Sequence, residues 1–194
     1  VAHRRFHYDR AFEHYLRANA IPYVAVDEAK RALAPTRAGP ASRVSSGAAA
    51  RTKLKSFDFV VYSEAGANLL VDVKGRKHPF TSAGATGRAL QNWVTRDDVR
   101  CLQRWAEIFG EGFEPAFAFL FWCDAQPPDA LFLEVFDYGD RWYAVLAVRL
   151  ADYVEHLRER SKKWDTVSLP AAAFDRVSVP LKELLRPAGR PTRG

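Results

Sequence analysis

Two short apolar runs carry charge in a pattern suited to paired strands: Phe57-Asp58-Phe59-Val60-Val61 and Leu70-Val71-Asp72-Val73-Lys74-Gly75. Successive side chains of a strand point to opposite faces, so Asp72 and Lys74 share one face. Val71 and Val73 turn the other way, into a core. The spacer Ser63-Glu64-Ala65-Gly66-Ala67-Asn68 is short and turn-forming, which predicts an antiparallel hairpin. That fold-back brings Asp58 beside the Asp72 end of its partner. Two carboxylates and one ammonium on a strand rim are the groups that a divalent cation and an attacking water require.

An acid-x-Lys tripeptide alone says little, since about one is expected by chance in a chain of this size. Glu28-Ala29-Lys30 is such a decoy. It falls in residues 27–33, which read as a short helix, where its side chains splay apart. Only the Asp72 copy sits in a strand-like run with an upstream carboxylate. Asp58, Asp72 and Lys74 together resemble the D…(D/E)xK signature of the PD-(D/E)xK, or restriction-endonuclease-like, nucleases, and their Holliday-junction-resolvase-like branch in particular. Phe57 stands where the family carries a proline, a position that varies widely. The bland competitor is a half-exposed strand with solvated Asp and Lys.

The resemblance covers about residues 6–123. It implies an α/β fold: a restriction-endonuclease-like core of helix, three strands, helix and strand, its mixed sheet flanked by helices. A C-terminal β-hairpin and helix would extend it. The resemblance also implies a Mg²⁺-dependent endonuclease, with Mn²⁺ able to substitute, that hydrolyses DNA and leaves a 5′-phosphate. Branched or damaged DNA, met in repair or recombination, is the implied substrate. Asp58, Asp72 and the Val73 carbonyl would hold the metal, and Lys74 would orient the water or stabilise the phosphorane. The first helix often adds an acid; Glu13 is the candidate and Asp9, one turn earlier, the alternative. Gln91 could orient the lysine. Relatives of this kind often work as homodimers, because two cuts need two sites.

With 194 residues, 48% of them hydrophobic, the chain reads as one domain with material for a sizeable core. The divisions expected are a core over 6–123, an extension over 124–185 and a basic tail over 186–194. Residues 34–55 carry five basic and no acidic residues, and the last eleven add three arginines, out of a net +6. Charge so localised suits a polyanionic partner. The nucleic-acid contacts expected are Lys53 and Lys55 from the linker, Arg76, Lys77 and Arg88 beyond the Asp-x-Lys strand, and Arg96, Arg100 and Arg104. The last three recur every four residues on one helix stripe, where pairing with Asp97 or Glu107 is the plain alternative. No apolar run approaches a membrane span, and the first residues lack a signal peptide's apolar stretch; a cytoplasmic protein is expected. Absence of methionine suggests a start that lies upstream or was trimmed. Cys101 and Cys123 read as small buried thiols.

Along the chain, residues 6–20 read as an amphipathic helix whose apolar face takes Phe6, Phe12, Tyr15, Leu16 and Ala20. Residues 21–26 follow as a strand, and 34–55 as a long loop. Another loop is expected from Arg76 to Leu90. Thr95 opens a capped helix to Phe109, residues 116–123 form a buried strand, and 131–136 with 142–148 form a hairpin. A last helix is expected from Leu150 to about Arg160. Two other functions stay open: a nuclease-like fold that binds nucleic acid without cutting it, and a protein-interaction domain.

Overall fold

Continuous apolar runs supply the middle of the sheet, and amphipathic ones supply its covering helices. The computed structural model describes residues 3–26, 54–78, 89–127 and 134–186. Helix α1 (His3–Ala18) leads into strands β1 (Tyr23–Ala25), β2 (Phe59–Val61) and β3 (Asn68–His78). A two-residue strand, β4 (Val94–Thr95), precedes α2 (Arg96–Phe109) and β5 (Phe113–Cys123). Among the described residues, and apart from β4, the order is helix, three strands, helix, strand. The decoy at Glu28, the basic linker up to residue 53, Arg88 and the tail from 187 lie outside the described residues.

With β6 (Val135–Asp137) and β7 (Trp142–Arg149), the main sheet has the order β1-β2-β3-β5-β7-β6. Strands β2 and β3 form the expected antiparallel hairpin, with Phe59 opposite Val71 and Val61 opposite Leu69. Strands β3 and β5 run parallel, pairing Asp72 with Phe117 and Lys74 with Phe119. A parallel pair needs a crossover, which α2 provides.

Each sheet face has its own core. Ala11, Phe12, Tyr15 and Leu16 of α1 pack with Val71, Val73, Ala118 and Leu120. On the other face, Leu70, Phe117 and Phe119 meet Val99 and Leu102 of α2. Asp72 and Lys74 belong to this second face by strand parity, so β3 is buried on both sides.

The distal third covers that second face with α3 (Leu150–His156), β8 (Arg158–Ser161), β9 (Thr166–Ser168) and α4 (Ala171–Val177), and then returns to the α1 side, where Leu181 and Leu184 of α5 (Leu181–Leu184) join the first core. Strands β8, β9 and β4 make a small second sheet, ordered β4-β9-β8. Tyr153, Val167, Leu169 and Phe174 complete the core there. Buried Asn92 clamps the cover, donating to the Leu169 carbonyl (3.2 Å) and accepting from its N–H (2.9 Å).

Three expectations are corrected. The helix from Leu150 stops at His156, and the residues expected to finish it form β8. Arg158-Glu159-Arg160 suits a charged helix end as well as an exposed strand, and pairing with β9 decides between them. Strand β3 continues through His78, where a loop from Arg76 was expected. Ala20 is exposed and has φ 52°. It ends α1 in a Schellman turn, with Ile21 N–H donating to Leu16 O (2.9 Å) and Ala20 N–H to Arg17 O (3.0 Å).

Candidate active site

Asp58 stands just past the Phe59–Val71 end of the β2–β3 ladder, where its N–H donates to the Val71 carbonyl at 2.9 Å. Asp58 reaches over the strand rim and accepts the Val73 N–H through Oδ2 at 2.8 Å. Asp72 is 3% exposed and Lys74 9%. These are not the solvated side chains of an ordinary half-exposed strand. The Lys74 ammonium lies 2.8 Å from Asp72 Oδ2 and 3.1 Å from Asp98 Oδ2, over the Phe117 ring. Residues expected from the sequence to act together are therefore brought together.

Asp98 is the member that sequence reasoning missed as a site residue. Its place three residues after Thr95 is that of a capping-box acid, and it is one: Thr95 Oγ accepts its N–H and its Oδ2 accepts the Thr95 N–H. Its two oxygens also take up Lys74 and Lys55. A cap residue has the same sequence signature whether or not it turns toward a strand, so only the crossover geometry exposes this second role.

The charges are unequally relieved. Burial pushes the Asp72 carboxyl up to about 7; Lys74 pulls it back, while Asp58 and Asp98 push it further up. Burial raises Asp98 too, but Lys74, Lys55 and the Thr95 N–H outweigh it and hold Asp98 well below the usual carboxylate range. Three carboxylates against two ammoniums leave one negative charge when all are ionised. Asp72 Oδ1 is buried with no hydrogen-bond partner, a costly state for a carboxylate oxygen. A cation would relieve both. Among the described residues, no three His, Cys, Asp or Glu side chains converge as a ligand cage. The fit thus rests on Asp58 and Asp72, a set suited to Mg²⁺, which keeps several waters.

Other expected site residues stand elsewhere. Glu13 accepts from Arg17 (2.6 Å) and from the Tyr23 hydroxyl (2.7 Å), on the α1 side of the sheet and away from Lys74. The helix register brings its N-terminal half nearer: a Cβ at Gly75 would meet the Tyr8 ring at 2.2 Å. Asp9, next to Tyr8, is therefore closer to the level of Lys74 than Glu13 is. Gln91 is exposed. Cys123 is buried as expected, whereas Cys101 is only half-buried.

The expected phosphate contacts are largely engaged within the protein. Arg76 lies on the covered face, stacked 4.0 Å over Trp93, and donates to the Gly75 and Trp93 carbonyls. Burial lowers its pKa to about 10. Lys77 pairs with Asp124 at 3.0 Å, and Lys55 turns inward to Asp98. Arg96 meets Asp165 at 3.2 Å and Glu159 at 3.4 Å, and Arg100 meets Asp97 at 3.8 Å. Arg104 pairs with Glu107 at 2.5 Å. Arg100 and Arg104 thus make the pairing with Asp97 and Glu107, while Arg96 reaches the β8–β9 hairpin instead; such exposed pairs are weak and compete poorly with a phosphate. Lys53 and Arg88 lie outside the described residues.

No protein-family model matches the chain, and comparison with curated proteins finds no match. Among solved structures, the chain is similar to the Holliday junction resolvase Hjc of the archaeal hyperthermophile Archaeoglobus fulgidus. The two share 14% identity with a TM-score of 0.50, over 93% of this chain and 98% of that one. At that identity the likeness speaks to fold, and it is the restriction-endonuclease-like fold that the Asp58, Asp72 and Lys74 pattern implied. Among the described residues, no helix is long and apolar enough to cross a membrane.

Proposed function

We propose that this chain is a metal-dependent nuclease that hydrolyses phosphodiester bonds of branched DNA. One observation carries the reading: the buried, unpartnered Asp72 Oδ1 beside Lys74, with the Asp58 carboxylate close enough to push the Asp72 carboxyl up. No structural need explains a carboxylate oxygen buried without a donor. Asp58 and Asp72 would hold Mg²⁺, or Mn²⁺ in its place. When bound, the ion supplies Lewis-acid neutralisation of the scissile phosphate and acidifies a water.

The chain's own residues do the rest. Lys74 holds its ammonium 2.8 Å from Asp72 Oδ2, where it would orient the attacking water or meet the developing negative charge. Asp98 and Lys55 fix where that ammonium sits. The Asp58–Val73 hydrogen bond holds the first carboxylate against the strand. Branched DNA as the substrate takes support from the resemblance to the resolvase branch and from the resolvase fold.

The test is cleavage of labelled single-stranded, duplex, flap and four-way-junction DNA with Mg²⁺, Mn²⁺ or chelator. Asp72→Asn and Lys74→Ala should each abolish metal-dependent cutting, and the junction should be the preferred substrate. Unchanged cutting in either variant would falsify the site. The same ions should raise the melting temperature of the wild type and leave that of Asp72→Asn unmoved, because only the native site gains a ligand. A second reading, a non-cutting DNA-binding module, draws on the Lys74 ammonium already occupying Asp72 Oδ2. It predicts salt-sensitive binding that survives Asp72→Asn, with no turnover.

A further inference from the structure

Trp164 is 69% exposed, the highest exposure among the large apolar side chains described. An indole offers about 150–250 Å² of surface, and leaving most of it in water calls for an explanation. Its surroundings are not those of a protein-docking patch. It sits at the tip of the β8–β9 hairpin, directly after Lys162 and Lys163. Neither lysine has a carboxylate partner among the described residues, and the Lys163 ammonium lies 5.5 Å from the Trp164 ring centre.

The acids of this hairpin face the other way. Glu159 and Asp165 both pair with Arg96, and Asp165 also reaches Arg100. The hairpin thus spends its negative charge against α2 and presents its positive charge outward with the indole. Trp93, the other aromatic nearby, is already taken, with Arg76 at 4.0 Å and Arg160 at 5.3 Å.

The tip is also held in place. Trp164 N–H donates to Ser161 Oγ (3.4 Å) and Asp165 N–H to Lys162 O (3.3 Å), with Asp165 at φ 44°. One residue on, Asp165 O accepts the Arg96 N–H at 2.9 Å. Thr166 pairs with Thr95, whose side chain caps Asp98, and Asp98 holds Lys74. A short run of backbone pairing therefore connects the indole to the site lysine.

We propose that the β8–β9 hairpin engages DNA at an unpaired nucleotide: Trp164 stacks on the exposed base while Lys162 and Lys163 meet the flanking phosphates. Bases of a continuous duplex are already stacked and cannot receive the indole face. The hairpin therefore selects single-stranded or branch-point DNA. This rests on the proposed nuclease function for its DNA partner, but not on cutting.

The experiment is anisotropy of labelled DNA with the full chain in chelator, so that cleavage plays no part. A single strand, a four-way junction with unpaired bases at the crossover and a blunt duplex serve as probes. Trp164→Ala should weaken single-strand and junction binding by about five- to a hundredfold, the range of one lost base stack, with little loss on the duplex. Trp164→Phe should keep most of the affinity. Lys162→Ala with Lys163→Ala should flatten the log–log salt dependence on the single strand by about 0.7 per lysine. Wild-type single-strand affinity in Trp164→Ala, or an equal loss on duplex and single strand, overturns the proposal, as does a wild type that binds no DNA. Parallel cleavage of the same DNAs with Mg²⁺ separates the two ideas. Cutting without Trp164-dependent binding sinks only the hairpin, and Trp164-dependent binding without cutting sinks only the nuclease.

Discussion

Asp98 does three things at once: it caps α2, neutralises Lys55 and holds the Lys74 ammonium at 3.1 Å. Asparagine keeps the shape and can still accept the Thr95 N–H, so Asp98→Asn isolates the charge. In the proposed nuclease, the variant should lose the fixed position of the Lys74 ammonium rather than affinity for the DNA. A catalytic group displaced by about 1 Å costs roughly a hundredfold, so kcat on the preferred DNA should fall by about that factor with KM little changed. A purely structural role would lower the melting temperature and move KM and kcat together. Strand alternation puts Asp72 and Lys74 on one face, and the hairpin expected from the sequence brings Asp58 near them, which is the arrangement of the structure. Sequence reading misses Asp98 because the contact spans the β3–α2 crossover, and no local spacing encodes it. The same rule of alternation, read further along β3, bears on Arg76. Parity puts residue 76 on the face of 72 and 74, and that face is covered, so the guanidinium stacks on Trp93 instead of meeting solvent.

Among the elements, α1 shows both what local chemistry dictates and where it is left suboptimal. Its apolar stripe and its stop near residue 20 were legible from the sequence. The stop itself is made by Ala20 in a left-handed conformation, φ 52°, at the position where glycine is favoured. An L side chain there costs about 1 kcal/mol. Ala20→Gly should therefore stabilise the protein by about 0.5–1 kcal/mol in urea unfolding, with the slope of the transition unchanged. A destabilised variant would mean that the Schellman turn does not govern this end. The β8–β9 hairpin, by contrast, was unreadable. Arg158-Glu159-Arg160 continues a helical charge pattern from Leu150, and only the ladder to Thr166–Ser168 makes it a strand. Its first partner strand, Val94–Thr95, is two residues long and invisible to periodicity.

For the molecule as a whole, the open problem was how the distal third joins a nuclease-like core, and one carboxylate supplies part of the answer. Glu134 Oε2 accepts both the Tyr15 hydroxyl of α1 (2.7 Å) and the Leu181 N–H of α5 (3.1 Å). The first helix and the last are thereby tied through the residue preceding β6. Burial raises the Glu134 pKa above its usual 4.5, although Tyr15, the Leu181 N–H and Lys182 all pull it down. The sign follows directly. The folded state holds this proton more tightly than the unfolded one, so the stabilisation is full below about pH 4.5 and is lost as pH rises through the folded value. Glutamine can accept both hydrogen bonds through its single carbonyl oxygen and never ionises. Glu134→Gln should match the wild type in acid and melt progressively higher than it toward neutral pH, by about 2–4 °C for each kcal/mol released. Thermal melts across that range check it. A variant that melts lower at neutral pH would show that the charged carboxylate, through Lys182, holds the two ends together better than a neutral acceptor can.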